Sequence, residues 1–379
     1  MARFRKFFPV AALFAVATLC HAETAFARSA ELRDHPSPYL ALHADDPVSW
    51  REWGPAAIDA ARAGDRLLFL SIGYFACHWC HVMQRESFQD EAIAARLNAS
   101  FVPVKIDREL ETALDARLVE FAEATLGRAG WPLNVFVTPD GYPLFAVLYA
   151  PPAQFSQVLE RLEQMWNAER ERLRGLARRV AAGDLPDPYR VVDDAAVEDL
   201  NRAFLQQARA LHDEFEGGFG NQNKFPQAPA LDYLIEFAAR GEGAAVPVLE
   251  STLDAMARGG LYDHVGGGFF RYVVDPSWNI PHFEKMLYDN AQLARVYLRA
   301  DGVLPGRGYG ALARATLDFM RRDMAVASGG MLASLSAVDG NGVEGGYYLF
   351  EDDELAALLD ADALRVVRAA CDARVAPAL

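Results

Sequence analysis

Cysteine is scarce in this chain, four in 379 residues. That number excludes a disulfide framework, so an ordinary hydrophobic core has to hold the fold. Basic residues are also in the minority, 37 against 52 acids, for a formal charge of −15. No basic cluster is present to meet phosphates, which argues against nucleic acid as a partner. Beyond the amino terminus, no apolar run approaches the length of a membrane span, so no stable membrane insertion is expected. What remains is 52% hydrophobic and 23% charged, the balance of a globular chain long enough for two domains.

The amino terminus is different. "MARFRK" is basic, "FFPVAALFAVATLC" is apolar, and "HAETAFA" ends in small residues at Ala25 and Ala27. This order predicts a secretory signal peptide over residues 1–27, cut after Ala27 or Ala22, and a periplasmic or secreted protein. Cleavage removes Arg3, Arg5, Lys6 and Glu23, leaving the chain still more acidic. It also removes Cys20, which follows Leu19 where a lipidation site needs a small residue. Cys77, Cys80 and Cys371 are left, and Cys371 reads as a small buried apolar residue.

Along the mature chain, "SPYLALHADDPVSWREW" predicts an ordered lead-in without regular structure, with His35, His43, Trp50 and Trp53 as packing residues. "GPAAIDAARAGDR" reads as a short helix, with Pro55 in its first turn and Gly64 at its end. "LLFLSIG" and "FVPVKID" have the continuous apolar character of strands covered on both faces. The helix starting in "HVMQRESFQDEAIAARLN" is expected to break near Ser87. Asp140-Gly141 marks a hairpin, and "PAQFSQVLERLEQMWNAERERLRGLARRV" closes the domain as an amphipathic helix. The proline-containing, acidic "AAGDLPDPYRVVDD" reads as a linker. Beyond it, helical pattern alternates with glycine pairs at 217–218, 267–268, 329–330 and 345–346, as in stacked helical hairpins. The domains expected are residues 28–180, a linker over 181–196, and residues 197–379.

The chemistry concentrates in "FACHWCHVM". Cys77-x-x-Cys80-His81 fits a redox dithiol, a c-type haem attachment site or part of a zinc site. At a strand-to-helix junction, the helix dipole and free N–H groups favour a thiolate. Cys77 is then the attacking sulfur and Cys80 the resolving one. Protonated His78 and His81 would make the pair more oxidising. An apolar strand runs directly into the motif, and "AGWPLNVF" follows with Pro132 placed to pack against a dithiol after a cis bond. These features favour the dithiol over haem and zinc.

The run from "SPYLALHADDPVSW" through "FACHWCHVMQRESFQDEAIAARLNASFVPVKIDRE", with "GWPLNVFVTPDGYPLF", resembles the spermatogenesis-associated protein 20 (DUF255) family. "GGFGNQNKFPQAP" and "ARGGLYDHVGGGFFRYVVDPSWNIPHFEKMLYDNAQLA" continue the match. The resemblance implies an α/β thioredoxin-like domain followed by an all-α toroid like that of six-hairpin glycosidases and N-acylglucosamine 2-epimerases. It implies Cys77 and Cys80 as the redox pair, faced by Trp131-Pro132, and with Trp79 these form the candidate substrate groove. Family members are longer, and about three hairpins are present where a closed toroid needs six, so an incomplete toroid is expected. The family's acidic loop becomes "SLSAVDGNGVEG" here, keeping Asp339 and Glu344.

In "DHVGGGFFRY" and "WNIPHFEKMLYDN", Pro281 is expected to open a helix that places His282, Lys285 and Asp289 on one side. His264, Arg271, His282 and Glu284 then form a candidate pocket for a polar ligand. The reading preferred here is a buried hydrogen-bond network joining hairpins, with Lys285 and Asp289 as a helix ion pair. The activity expected is thiol–disulfide exchange on a protein substrate, with no cofactor and no metal. The alternative is carbohydrate binding or processing by the helical domain. Nothing in the sequence indicates an oligomeric state.

Overall fold

Seven consecutive buried residues, Leu67–Gly73, make the central strand of the amino-terminal sheet. The computed structural model describes residues 30–181 and 194–371, and the chain divides into two compact units, Met1–Tyr189 and Arg190–Leu379. The expected signal peptide, Cys20 and nearly all of the expected linker lie outside the described residues, as does the side chain of Cys371.

In the first unit, helices α1 (Ala30–Arg33) and α2 (Pro38–Leu42) precede α3 (Pro55–Gly64) and β1 (Leu67–Gly73). Then come α4 (His78–Met83), a π-helical turn Gln84–Phe88, α5 (Glu91–Ser100), β2 (Phe101–Asp107) and α6 (Thr112–Leu126). Strands β3 (Leu133–Val137) and β4 (Pro143–Val147) form a hairpin, and α7 (Pro152–Ala181) follows, kinked at Glu169. The sheet order is β2-β1-β3-β4, with β1 and β2 parallel and β3 antiparallel to both of its neighbours. Side chains alternate along β1 as a strand requires. Leu68, Leu70 and Ile72 join Ala57, Ala61 and Leu118 in one core. On the other face, Phe69 packs against Trp50, Phe88, Phe136 and Phe155.

The lead-in departs from expectation because it contains α2. Ser37 caps that helix, accepting from the Leu40 N–H at 3.1 Å, and Pro38 stands at its first position. The expected break near Ser87 is the π turn, after which Asp90 caps α5 through the Ala92 and Ile93 N–H groups.

The second unit begins with α8 (Asp194–Leu211), α9 (Ala228–Ala239) and α10 (Val246–Arg258). Short strands β5 (Tyr272–Val273), β6 (Pro281–His282) and β7 (Lys285–Met286) lead into α11 (Leu287–Val303) and α12 (Tyr309–Phe319). A π turn Met320–Met324, β8 (Ser334–Leu335), α13 (Asp352–Leu358) and α14 (Ala361–Cys371) complete it. Helices α9, α10, α11 and α12 share a core that includes Leu234, Leu249, Leu253, Trp278 and Tyr297.

Two of its loops repeat one design. Asp213 accepts from the N–H groups of Phe215 and Glu216 and from Lys224 Nζ at 2.8 Å, while Lys224 also donates to the Gly217 carbonyl. Fifty residues on, Asp263 accepts from Val265, Gly266 and Lys285 Nζ at 2.6 Å, and Lys285 donates to the Gly267 carbonyl. Gly268 has to be glycine on two counts: φ is +79°, and a Cβ would lie 2.3 Å from the Phe319 ring.

Candidate functional site

Strand β1 delivers the chain through Tyr74–Ala76 to Cys77, the N-cap of α4, with φ −67° and ψ 105°. Its sulfur accepts from the Cys80 N–H at 3.2 Å, and the two cysteines are joined in a disulfide. Both are almost completely buried, whereas Phe75 and Trp79 beside them are about two-fifths exposed, at 40% and 43%. Trp79 packs against the Tyr149 ring at 4.7 Å, and Tyr149 donates to Glu86 at 2.6 Å. His81 Nε2 lies 2.7 Å from the Phe75 carbonyl oxygen, and His78 meets Trp79 edge-on.

The Trp131-Pro132 bond is cis, and Leu133 pairs with Ile72. That antiparallel register carries Pro132 alongside Gly73, the residue that borders the disulfide. A Cβ on Gly73 would lie 2.6 Å from Cys80 Sγ. Trp131 is held by its own bonds: Nε1 donates to Asp115 at 2.8 Å and the Arg108 guanidinium stacks 4.0 Å from its ring. Burial raises the Asp115 pKa despite these donors.

Around Tyr39, which borders Cys80 across Gly73, lies a buried polar cluster that local sequence pattern does not reveal. Lys105, in the centre of β2, is fully buried and donates to Ser71 at 3.0 Å. Its ammonium faces the rings of Phe88, Trp50 and Tyr39 at 4.6, 5.0 and 5.1 Å. Burial pushes its pKa down to about 7, against the opposing pull of Asp46. Asp46 accepts from His43 Nδ1 at 2.6 Å and from Trp50 and Gln84, both at 2.9 Å. Burial and then Lys105 hold His43 near 4, so the imidazole is neutral. The available signal was a lysine inside an otherwise apolar strand, "FVPVKID".

In the second unit, the helix expected from Pro281 does not form; Pro281 and His282 pair with Tyr272 and Val273 as a hairpin. Asp275 closes its turn by accepting from the N–H groups of Ser277, Asn279 and Ile280, and α11 starts only at Leu287. Backbone pairing thus overrides the helical spacing, and the expected Lys285–Asp289 ion pair is replaced. Lys285 bonds Asp263, and Asp289 accepts from Arg271 at 2.9 Å. Arg271, His282 and Glu284 do meet: His282 contacts Glu284 at 3.2 Å and Glu344 at 2.6 Å, and Arg271 lies 3.8 Å from Glu284. Burial opposes the imidazolium, but the two carboxylates outweigh it and push His282 up to about 9. His264 stands apart; it is exposed, 3.2 Å from the Gly259 carbonyl oxygen and edge-on to Tyr262. Among the described residues, no group of three or more histidines, cysteines and acids is arranged to hold a metal ion.

Sheet order, dithiol position and cis-proline define a thioredoxin-like domain, and a helical-hairpin domain follows it. Residues 29–183 match the family model Thioredox_DsbH, described as "Protein of unknown function, DUF255". Human spermatogenesis-associated protein 20 is 38% identical over 347 residues, 85% of this chain and 44% of that protein. Residues 29–183 therefore carry the DUF255 domain, and the chain is similar to spermatogenesis-associated protein 20 over most of its own length while spanning less than half the length of the relatives it matches. Among solved structures, a DsbH oxidoreductase aligns at 20% identity and TM-score 0.26, covering 31% of this chain and 85% of that one. Cellobiose 2-epimerase from Spirochaeta thermophila aligns at 19% and TM-score 0.33, covering 38% of this chain and 41% of that one.

Proposed function

We propose that this protein is a thiol–disulfide oxidoreductase in which Cys77 exchanges bonds with protein thiols and Cys80 resolves the mixed disulfide. The observation that carries this reading is the Cys77–Cys80 disulfide at the start of α4, with Cys77 as the N-cap. A sulfur released there faces the positive end of the helix and the Cys80 N–H, both of which favour the thiolate. Exposed Phe75 and Trp79 supply an apolar rim for a polypeptide substrate. The basic-apolar-small order of residues 1–27 supports export, into a compartment where a disulfide persists. The test is reduction of a protein disulfide, or oxidation of a protein dithiol, by the full chain. Activity is expected to vanish in Cys77→Ser and survive in His282→Ala; survival in Cys77→Ser refutes the reading.

A second reading places carbohydrate in the helical unit. It is favoured by a cavity of about 670 Å³ lined by Asp263, Lys285, Arg322, Asp339, Tyr347 and Tyr348. Saturable sugar binding, lost in Tyr347→Ala and kept in Cys77→Ser, would support it.

A further inference from the structure

Helix α2 places Tyr39 beneath the disulfide. The side chain is fully buried, edge-on to His43 at 5.1 Å and 5.1 Å from Lys105 Nζ. Its hydroxyl has no hydrogen-bond partner, a costly state for a buried donor. Cys80 is its neighbour across Gly73: a Cβ there would lie 2.3 Å from Tyr39 Oη and 2.6 Å from Cys80 Sγ, so the two atoms border the same point. A disulfide sulfur is a weak acceptor, and a thiolate is a strong, charged one. Reduction of the disulfide creates the acceptor that the hydroxyl lacks.

We propose that the Tyr39 hydroxyl is the hydrogen-bond donor to Cys80 Sγ in the reduced protein, and that it sets the reduction potential of the pair. The inference rests on the exchange reading above. A thiolate of a partner dithiol attacks Cys77 Sγ; the Cys77–Cys80 bond breaks and its electron pair leaves on Cys80 Sγ, where Tyr39 donates. The partner's second sulfur, deprotonated, then attacks the partner sulfur of the mixed disulfide and releases Cys77 as a thiolate. The partner departs as a disulfide, oxidised by two electrons, and the protein holds two sulfurs reduced by the same two. The two protons lost by the partner pass to the cysteines or to solvent. Burial, with Asp107 and Asp46 nearby, keeps the phenol protonated and able to donate.

The test equilibrates the full chain and its Tyr39→Phe variant with glutathione buffers and reads the cysteine state by alkylation. Phenylalanine removes only the hydroxyl. The equilibrium constant is expected to shift about tenfold toward the disulfide, a potential about 30 mV lower. An unchanged potential in Tyr39→Phe overturns the inference and leaves the exchange reading standing. A wild-type pair that does not titrate reversibly overturns both. If Tyr39→Phe does not fold, 3-fluorotyrosine at position 39, a stronger donor, must raise the potential; no change or a fall overturns the proposal.

Discussion

Lys105 and Ser71 are register partners in the parallel β1–β2 pair, and the lysine ammonium donates to the serine hydroxyl at 3.0 Å. The contact places the lysine among the rings of Tyr39, Trp50 and Phe88, and Tyr39 in turn borders Cys80 across Gly73. A neutral hydroxyl and three aromatic faces solvate it, and Asp46 is the carboxylate that favours its charge.

That placement makes the first unit's stability depend on pH. The folded Lys105 pKa of about 7 lies below its unfolded value of about 10.4. Between those values the unfolded chain holds more protons, so stability rises with pH and falls as pH drops through 7. Denaturant melts of wild type and Lys105→Met from pH 7 to 9.5 should diverge in slope by on the order of 1 kcal/mol per pH unit. Parallel curves would refute the assignment. His43 adds a lower window, its neutral form losing stability as pH falls from 6.5 toward 4.

His282 acts in the opposite direction. Its folded pKa of about 9 lies above the unfolded 6.5, so its contribution is complete below 6.5 and disappears as pH rises through 9. Ring-proton NMR should place the midpoint near 9, and Glu344→Gln should lower it by roughly one unit or more. A midpoint near 6.5 in the wild type would contradict the ion pairs.

Lys285, which follows the β5–β6 hairpin in the chain, clamps the Asp263 loop that precedes it, with both side chains largely buried. Lys285→Met leaves the carboxylate buried without its cation and should cost about 3 kcal/mol. Asp263→Asn added to it should restore part of that loss, since the two residues act as a pair. Equilibrium unfolding in urea measures both, and full additivity would rule out the clamp.

Gly268→Ala should destabilise by about 2–4 kcal/mol, because it adds a clash with Phe319 to a left-handed backbone. Gly329→Ala, with φ +91° but open space around it, should cost only about 1–2 kcal/mol. Equal losses would show that backbone strain alone matters at these pairs.

Much of the first unit is legible in the sequence because its signals are local. The apolar runs at 67–73 and 101–107, the Asp140-Gly141 turn and the break near Ser87 each follow from a few adjacent residues. Helix α2 was equally local, through Ser37 and Pro38, but it hid inside an aromatic stretch. The segment around Pro281 misled because helical spacing and a hairpin are both compatible with "WNIPHFEKML". The choice was made by strand pairing, with Tyr272–Val273 eight to ten residues upstream and with Ser334–Leu335 about fifty residues downstream.

From the sequence alone came two domains' worth of pattern, a dithiol at a strand-to-helix junction and the proline opposite it, since dipoles, turns and periodicity act over a few residues. Only the tertiary structure decided that Lys105 meets Ser71 and His43 meets Asp46 in one buried aromatic layer, that Tyr39 borders Cys80, and that Lys285 serves Asp263 rather than Asp289. Burial and pairing across tens of residues set those partners, and neither is written in local spacing.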